Sequence, residues 1–118
     1  MTVFLVDDSA VVRERLADAL SGLPTGQVIG HAQGVAEAVE AIRRIKPDVV
    51  ILDLHLSEGN GIQVLQEIKK GSTAPIVIVL TNCAYPQYRK RCLEAGAEFF
   101  FDKSLEFDMV RNVLQQLH

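Results

Sequence analysis

The chain has 118 residues, of which 48% are hydrophobic, and its formal net charge is −3. This length fits one domain, which we expect to span residues 1–118. The mildly acidic charge argues against a nucleic-acid-binding domain, since such a domain normally has a basic face. No apolar run approaches the roughly 18 residues of a membrane span, and the N-terminus does not have the pattern of a secretory signal. We therefore expect a cytoplasmic domain without membrane contact.

The first half of the chain predicts two strand–helix units. The apolar run at 3–6 predicts a strand, and Ser9 can cap a helix with the apolar stripe Val11, Val12, Leu16, Ala19 and Leu20. A turn is predicted at 22–26, followed by a weaker strand at 28–32 that we expect near an edge of the sheet. Gly34 then opens a second helix, which ends before the next proline.

The second half continues the alternation. Residues 49–52, Val-Val-Ile-Leu, predict a strand buried on both faces, and a third helix is marked by Ile62, Leu65 and Ile68. Another buried strand is predicted at 75–80, and Pro86 fits the first turn of a fourth helix that ends near Gly96. The last strand is predicted at 99–101, before a final helix with the stripe Phe107, Val110, Val113, Leu114 and Leu117.

Five alternations of strand and helix predict an α/β fold with a parallel sheet and helices on both faces. Ligands of such sheets bind outside the carboxyl ends of the strands, where the strand order reverses. The predicted strand ends carry Asp7-Asp8, Asp53, Thr81 and Lys103. In a sheet of order 2-1-3-4-5, the three carboxylates would lie close together and repel one another. A divalent cation with a preference for oxygen ligands, such as Mg²⁺, would remove that conflict.

The segments Phe4-Leu5-Val6-Asp7-Asp8-Ser9 and Asp48-Val49-Val50-Ile51-Leu52-Asp53-Leu54, together with Gly61, Thr81 and Lys103, resemble the receiver domain of two-component response regulators. The resemblance covers the whole chain in order. It implies a flavodoxin-like (βα)5 fold with a five-stranded parallel sheet of order 2-1-3-4-5. It also implies a signalling domain that catalyses only its own Mg²⁺-dependent phosphorylation and dephosphorylation.

The resemblance assigns roles to individual residues. Asp53 would accept a phosphoryl group from the phosphohistidine of a histidine kinase or phosphotransfer protein. Mg²⁺, with Mn²⁺ as an alternative, would be bound by Asp8 and Asp53, by Asp7 through water, and by the backbone carbonyl of His55. Lys103 would pair with the phosphoryl oxygens. Two further residues would act as the switch, in which Thr81 hydrogen-bonds the phosphoryl group and Phe100 turns inward.

The sequence departs from the family pattern near the predicted site. Asn82 replaces a small residue, and Ser104 follows Lys103 where the family commonly has a proline after a cis peptide bond. We hypothesise that His55, Asn82 and Cys83 set the lifetime of the phosphorylated state. The alternative for His55 is a solvent-facing loop residue. Because two cysteines are too few for a disulfide framework, we expect Cys83 and Cys92 to be reduced, with burial the favoured role.

The resemblance leaves the downstream role open. The expected partners are a downstream protein or an output domain. The alternative is a second copy of the chain, bound on activation through a surface built from the fourth helix, last strand and last helix. The domain is either a stand-alone receiver or the N-terminal part of a transcriptional regulator, and we expect no direct contact between this domain and nucleic acid. The alternatives are a phosphate-insensitive docking protein and a small flavodoxin-like cofactor-binding enzyme.

Overall fold

The computed structural model describes residues 1–23, 26–71 and 73–117, so the predicted turn at 22–26 lies partly outside the described residues. Strands and helices alternate along the chain. The strands are β1 Thr2–Val6, β2 Gln27–Ala32, β3 Val49–Leu52, β4 Ile76–Thr81 and β5 Phe99–Asp102. The helices are α1 Ala10–Leu20, α2 Val35–Ile45, α3 Gly61–Ile68, α4 Pro86–Glu94 and α5 Met109–Gln116.

The five strands form one parallel sheet in the order β2-β1-β3-β4-β5. The predicted fold class and strand order are thereby confirmed, and β2 lies at an edge as expected. The pairs that end the ladders are Val6 with Ala32, Val6 with Leu52, Leu52 with Val79, and Thr81 with Asp102. Because the strands are parallel, their carboxyl ends reach the same edge of the sheet.

Two hydrophobic clusters cover the two faces of the sheet. Alternation along β3 sends Val49 and Ile51 to one face and Val50 and Leu52 to the other. The first pair packs with α1 and α5, and the second packs with α2, α3 and α4. We call these the α1/α5 cluster and the α2/α3/α4 cluster. A strand buried on both faces accounts for its continuous apolar sequence.

Local capping interactions fix the starts of the helices. The Ser9 hydroxyl accepts a hydrogen bond from the N–H of Val12, as predicted. Asn60 and Gln63 form a reciprocal capping box at the start of α3, and Pro86 occupies the first turn of α4. Among the described residues, none of the helices has the length and apolarity that a membrane crossing requires.

Two sequence-based assignments were wrong. The spacing predicts Val11 in the apolar stripe of α1, yet Val11 is 66% exposed. The spacing also predicts Phe107 in the last helix, which begins only at Met109. The segment between β5 and α5 forms its own side-chain to backbone hydrogen bonds, since Asp102 Oδ1 accepts from the N–H of Ser104 and Glu106 Oε1 accepts from the N–H of Asp102. Such bonds compete with helix formation.

Candidate functional site

The backbone ladders continue past the strands and position the site. The N–H of Asp7 donates to Ala32 O at 3.1 Å, and the N–H of Asp53 donates to Val6 O at 2.9 Å. The N–H of Lys103 likewise donates to Thr81 O at 3.0 Å. The residues that follow β1, β3 and β5 are therefore held by the sheet itself at its carboxyl edge.

Lys103 connects two of the carboxylates. Its Nζ lies 2.8 Å from Asp7 Oδ2 and 2.8 Å from Asp53 Oδ2, and all three side chains are buried. Burial is the largest single effect on the pKa of Lys103 and would lower it, but the hydrogen bonds with Asp53 and Asp7 together outweigh burial and raise it. Burial also raises the pKa of Asp7, although Lys103 and the N–H of Ser9 partly offset that effect. The lysine therefore stays charged and offsets part of the carboxylate charge.

The second carboxylate oxygens are also held by the backbone. Asp7 Oδ1 accepts from the N–H of Ser9 at 2.9 Å, and Asp53 Oδ1 accepts from the N–H of His55 at 3.2 Å. Asp8 is exposed. These hydrogen bonds orient the two buried carboxylates toward the carboxyl edge of the sheet.

The three aspartates form a candidate metal centre. One carboxylate oxygen from each of Asp7, Asp8 and Asp53 lies within 4.8 Å of the other two. In the described part of the chain, no other group of three or more His, Cys, Asp or Glu side chains comes together closely enough to hold a metal ion. Three carboxylates and one lysine leave two negative charges. An all-oxygen donor set with one exposed member fits Mg²⁺, which retains water ligands. The residues present therefore fit the predicted cation.

Gly61 supports the loop that follows Asp53. Its N–H donates to Leu54 O at 2.9 Å, and a Cβ at this position would lie 2.1 Å from Asp53 O and 2.8 Å from Leu54 Cα. Real Cβ atoms essentially never approach other atoms so closely. Only glycine allows α3 to begin this close to the backbone of Asp53.

The predicted switch residues are Thr81 and Phe100. Among the described residues, no side-chain hydrogen bond joins them. Thr81 is fully buried, and its Oγ1 accepts from the N–H of Cys83 at 3.0 Å. Phe100 is buried in the α2/α3/α4 cluster. Arg89 NH1 donates to Phe100 O at 3.1 Å, and the Arg89 guanidinium lies 6.0 Å from the Phe100 ring centroid. The aromatic ring thus already points into the protein and is linked to α4.

The residues that depart from the family pattern lie around the site. The Ser104 hydroxyl donates to Asn82 Oδ1 at 3.5 Å, so the loops after β4 and β5 are in contact. Within the described residues there is no cis peptide bond, so Lys103–Ser104 is trans. Lys103 nevertheless reaches both buried carboxylates. Of the remaining candidates, His55 is exposed and Cys83 is half-buried.

Sequence reasoning missed two arginines that support the site. Arg13 NH1 donates to Asp7 O at 2.7 Å, which ties α1 to the end of β1. Arg89 similarly ties α4 to β5 at Phe100. Both lie on helices among other charged residues, a pattern typical of a solvated face, so no sequence signal distinguished them.

Residues 3–115 match the family described as the response regulator receiver domain. The chain belongs to this family. Receivers of this kind are signalling domains of two-component systems, and the family assignment confirms the predicted resemblance.

Two curated relatives illustrate the similarity. The DNA-binding transcriptional activator DevR/DosR of Mycobacterium tuberculosis is 35% identical over 88% of this chain and 48% of its own length. A protein-glutamate methylesterase/protein-glutamine glutaminase of Carboxydothermus hydrogenoformans is 33% identical over 97% of this chain and 34% of its own length. This receiver thus spans half or less of the length of these relatives.

Solved structures agree with the fold. The response regulator domain of Thermotoga maritima CheB is 32% identical, with a TM-score of 0.85 over 98% of this chain and 91% of that domain. A CheX–CheY complex with BeF3 and magnesium from Borrelia burgdorferi contains a chain that is 26% identical. Its TM-score is 0.88, over 100% of this receiver and 90% of that chain.

Proposed function

We propose that this receiver accepts a phosphoryl group on Asp53 from the phosphohistidine of a histidine kinase or phosphotransfer protein. The observation that carries the proposal is the contact of the buried Asp53 carboxylate with Lys103, inside the group formed with Asp7 and Asp8. Phosphoryl transfer requires a positioned nucleophile and positive charge around the transferred oxygens. Asp53 and Lys103 provide these two elements.

In the proposed step, one Asp53 carboxylate oxygen attacks phosphorus. The O–P bond forms while the N–P bond of the donor histidine breaks, and the bonding electron pair stays on the imidazole nitrogen. The Lys103 ammonium moves its hydrogen bond from the carboxylate to a phosphoryl oxygen. Hydrolysis later transfers the phosphoryl group to water and regenerates the Asp53 carboxylate.

The proposed cation site consists of Asp8 and Asp53 as direct ligands, Asp7 through water and the carbonyl of His55. Mg²⁺ would supply charge neutralisation at the phosphoryl oxygens when bound, and Mn²⁺ has similar ligand preferences. Asp7 and Asp53 are each held by a backbone N–H and by Lys103, whereas the Asp8 side chain is exposed. The exposure of Asp8 supports its proposed role as a direct ligand.

The phosphorylated state would be read through Thr81. We propose that its hydroxyl donates to the phosphoryl group while its oxygen accepts from the N–H of Cys83. Phe100 is already buried in the α2/α3/α4 cluster, so we propose that phosphorylation holds its ring inward while the surface formed by α4, β5 and α5 changes. That surface includes the exposed side chains of Tyr85, Leu93 and Met109, which fit a downstream protein, an output domain or a second copy of the chain.

Two exposed apolar side chains, on the segments that follow Asp8 and Lys103, fit contact with the phosphodonor. Val11 is 66% exposed and Leu105 is 84% exposed. The Arg15 guanidinium, one helical turn after Val11, lies 4.2 Å from the Phe107 ring centroid and so connects α1 with the segment before α5. We propose that Val11 and Leu105 contact the helix that carries the donor histidine.

The lifetime of the phosphoryl group is assigned to His55, Asn82 and Cys83. The N–H of His55 contacts Asp53 Oδ1, and the N–H of Cys83 contacts Thr81 Oγ1, so both loops are connected to reacting or sensing groups. We propose that Asn82, whose Oδ1 accepts a hydrogen bond from the Ser104 hydroxyl, narrows access to the phosphoryl site between the loops after β4 and β5. An unchanged dephosphorylation rate in His55→Ala would remove His55 from this set.

The proposed phosphorylation chemistry does not identify the output. The receiver itself is proposed to catalyse only its own phosphorylation and dephosphorylation, in the cytoplasm, as is typical of response regulators. Methylesterase activity and DNA binding are named for relatives that are longer than this chain. Either a stand-alone receiver or the receiver of a transcriptional regulator agrees with the proposed chemistry.

Incubation with acetyl phosphate and Mg²⁺, followed by intact mass measurement, tests the central proposal. We expect one added phosphoryl group in the parent protein, none in Asp53→Asn, and none when EDTA replaces Mg²⁺. Asp102→Asn is the matched control, because Asp102 also ends a strand but bonds the N–H of Ser104 instead. Absence of phosphorylation in the parent protein would favour the phosphate-insensitive docking alternative.

A further inference from the structure

A cavity of about 280 Å³ opens beside the phosphorylation site, between the loop after β3, the start of α3, the loop after β4 and α4. Its apolar part consists of Leu54 and Ile62, which are both buried. His55 and Cys83 also line the cavity. This volume approaches the lower end of small-ligand sites.

The polar groups of this cavity are hydrogen-bond donors. Arg91, Tyr88 and Asn60 line it, and no carboxylate does. Asn60 Oδ1 already accepts from the N–H of Gln63, which leaves its amide N–H groups as donors. Among the residues that the structure describes, no carboxylate oxygen lies within 4.0 Å of a charged nitrogen of Arg91.

We propose that this cavity binds a small organic anion, namely a carboxylate with a compact apolar body. The apolar body would lie against Leu54 and Ile62, and the carboxylate would accept hydrogen bonds from Arg91 and from Tyr88 or Asn60. A guanidinium forms directional paired bonds with a carboxylate, which a neutral amide of the same shape cannot reproduce. The cavity therefore selects the anion over its amide analogue.

The location gives this site a regulatory consequence, which rests on the proposed function. The two residues between the cavity and the phosphorylation site are His55 and Cys83, whose N–H groups bond Asp53 Oδ1 and Thr81 Oγ1 respectively. A bound anion would contact both loops and change how readily they move. Occupancy of the cavity would then couple to the lifetime of the phosphoryl group on Asp53.

Cys83 provides a reporter inside the cavity. Alkylation by iodoacetate and by iodoacetamide compares an anionic reagent with a neutral one of nearly the same shape. Cys92 is fully buried, and burial raises the pKa of its thiol to about 11, so it stays unreactive in the folded protein. Peptide mapping after short exposures measures the rate at Cys83 alone.

We expect the ratio of the iodoacetate rate to the iodoacetamide rate at Cys83 to fall about fivefold in Arg91→Gln, the effect of one unit charge about 4 Å away in a water-like dielectric. Lys90→Gln is the matched control, because it removes a positive charge from the residue of α4 that precedes Arg91. Lys90 pairs with Glu94 and does not line the cavity. Benzoate should slow alkylation of Cys83 in the parent protein more than benzamide does, and Arg91→Gln should remove that difference.

Equal ratios in the parent protein and Arg91→Gln would overturn the proposal, as would an equal loss in Lys90→Gln. Equal protection by benzoate and benzamide would also overturn it, because the cavity would then recognise only apolar bulk. The thiol measurements do not require phosphorylation. They decide the site even if Asp53 proves not to accept a phosphoryl group.

Discussion

Lys103 compensates part of the negative charge that the chain gathers at the carboxyl edge of the sheet. It contacts Asp7 and Asp53, while Asp8 adds a third carboxylate from the exposed side. Removal of one partner from a buried ion pair is costly, because the remaining charge is left unpaired in a poorly solvated place. The lysine therefore has a structural role alongside its proposed part in phosphoryl transfer.

Lys103→Met should lower the free energy of unfolding by about 3 kcal/mol in EDTA. Because a divalent cation can replace the missing positive charge, added Mg²⁺ should restore more stability in this variant than it adds to the parent protein. Urea unfolding with EDTA and with Mg²⁺ measures both effects. Lys90→Met, at an exposed position, is the control. Equal Mg²⁺ increments in Lys103→Met and the parent protein would contradict the prediction.

Gly61→Ala tests the close contact between α3 and the backbone of Asp53. The added Cβ must displace Asp53 O or Leu54 Cα, which we expect to cost about 2–3 kcal/mol of stability. Displacement of Asp53 should also slow phosphorylation by acetyl phosphate by on the order of 10-fold to 100-fold. Urea unfolding and the rate of mass increase measure the two effects.

Gly34→Ala is the matched control for Gly61→Ala. Its nearest neighbour would be Glu58 Cβ at 3.6 Å, an ordinary contact, so we expect little change in the phosphorylation rate. If Gly61→Ala phosphorylated as fast as Gly34→Ala, the backbone of Asp53 would not need the position that glycine allows.

At the scale of elements, Asp48 links the starts of β1 and β3. Asp48 Oδ2 accepts from the N–H of Thr2 at 2.8 Å and from its hydroxyl at 3.1 Å, while the N–H of Asp48 donates back to Thr2 Oγ1 at 3.0 Å. The N–H of Thr2 is the main reason that the pKa of Asp48 lies below its ordinary value, and the hydroxyl adds to that effect. The folded state therefore favours the ionised carboxylate.

Asp48→Ala should cost about 1 kcal/mol at neutral pH, a modest value because the group is exposed. Since the pKa is lowered on folding, the stabilisation is fully present above the ordinary pKa of 3.8 and is lost as the pH falls through the lower value of the folded state. Urea unfolding of both proteins over acidic pH measures the difference. Asp108→Ala is the matched control, because it removes a carboxylate that makes no capping hydrogen bond.

The sequence predicted the elements well where one strong pattern dominated. The run Val49–Leu52 is a strand at the predicted bounds, because a run of four apolar residues is too short for a typical helix and favours a strand buried on both faces. The predictions were wrong where side-chain hydrogen bonds delayed the start of a helix, or where an apolar side chain at helical spacing was exposed. Phe107 has helical spacing with Val110, yet bonds made by Asp102 and Glu106 delay α5. Val11 follows the stripe of α1 but faces outward.

At the scale of the whole molecule, the parallel topology explains why the candidate site was predictable and its details were not. Residues that follow parallel strands must meet at one edge, so Asp7, Asp53 and Lys103 were expected together. The sequence does not show, however, which long side chains form hydrogen bonds with other elements. The hydrogen bonds of Arg13 to Asp7 O and of Arg89 to Phe100 O depend on long side chains that cross between elements.

Cys92 reports on the folding of the entire domain. It lies fully buried in the α2/α3/α4 cluster, and burial raises the pKa of its thiol from 9.0 to about 11. The folded state therefore keeps the thiol protonated at pH values where the unfolded chain ionises. This contribution to stability is fully present below pH 9.0 and is lost as the pH rises toward about 11.

Between pH 9.0 and about 11, the free energy of unfolding should fall by about 2–3 kcal/mol more in the parent protein than in Cys92→Ala. Alanine also lowers stability at neutral pH, because it leaves a small cavity. Since alanine cannot ionise, the change of stability with pH above 9.0 separates the effect of thiol ionisation from the effect of the cavity. Urea unfolding at a series of alkaline pH values measures that slope. Cys83→Ala is the matched control, because it removes a half-buried thiol that lies outside the α2/α3/α4 cluster. Identical slopes in Cys92→Ala and the parent protein would mean that the thiol ionises equally readily in the folded and unfolded states.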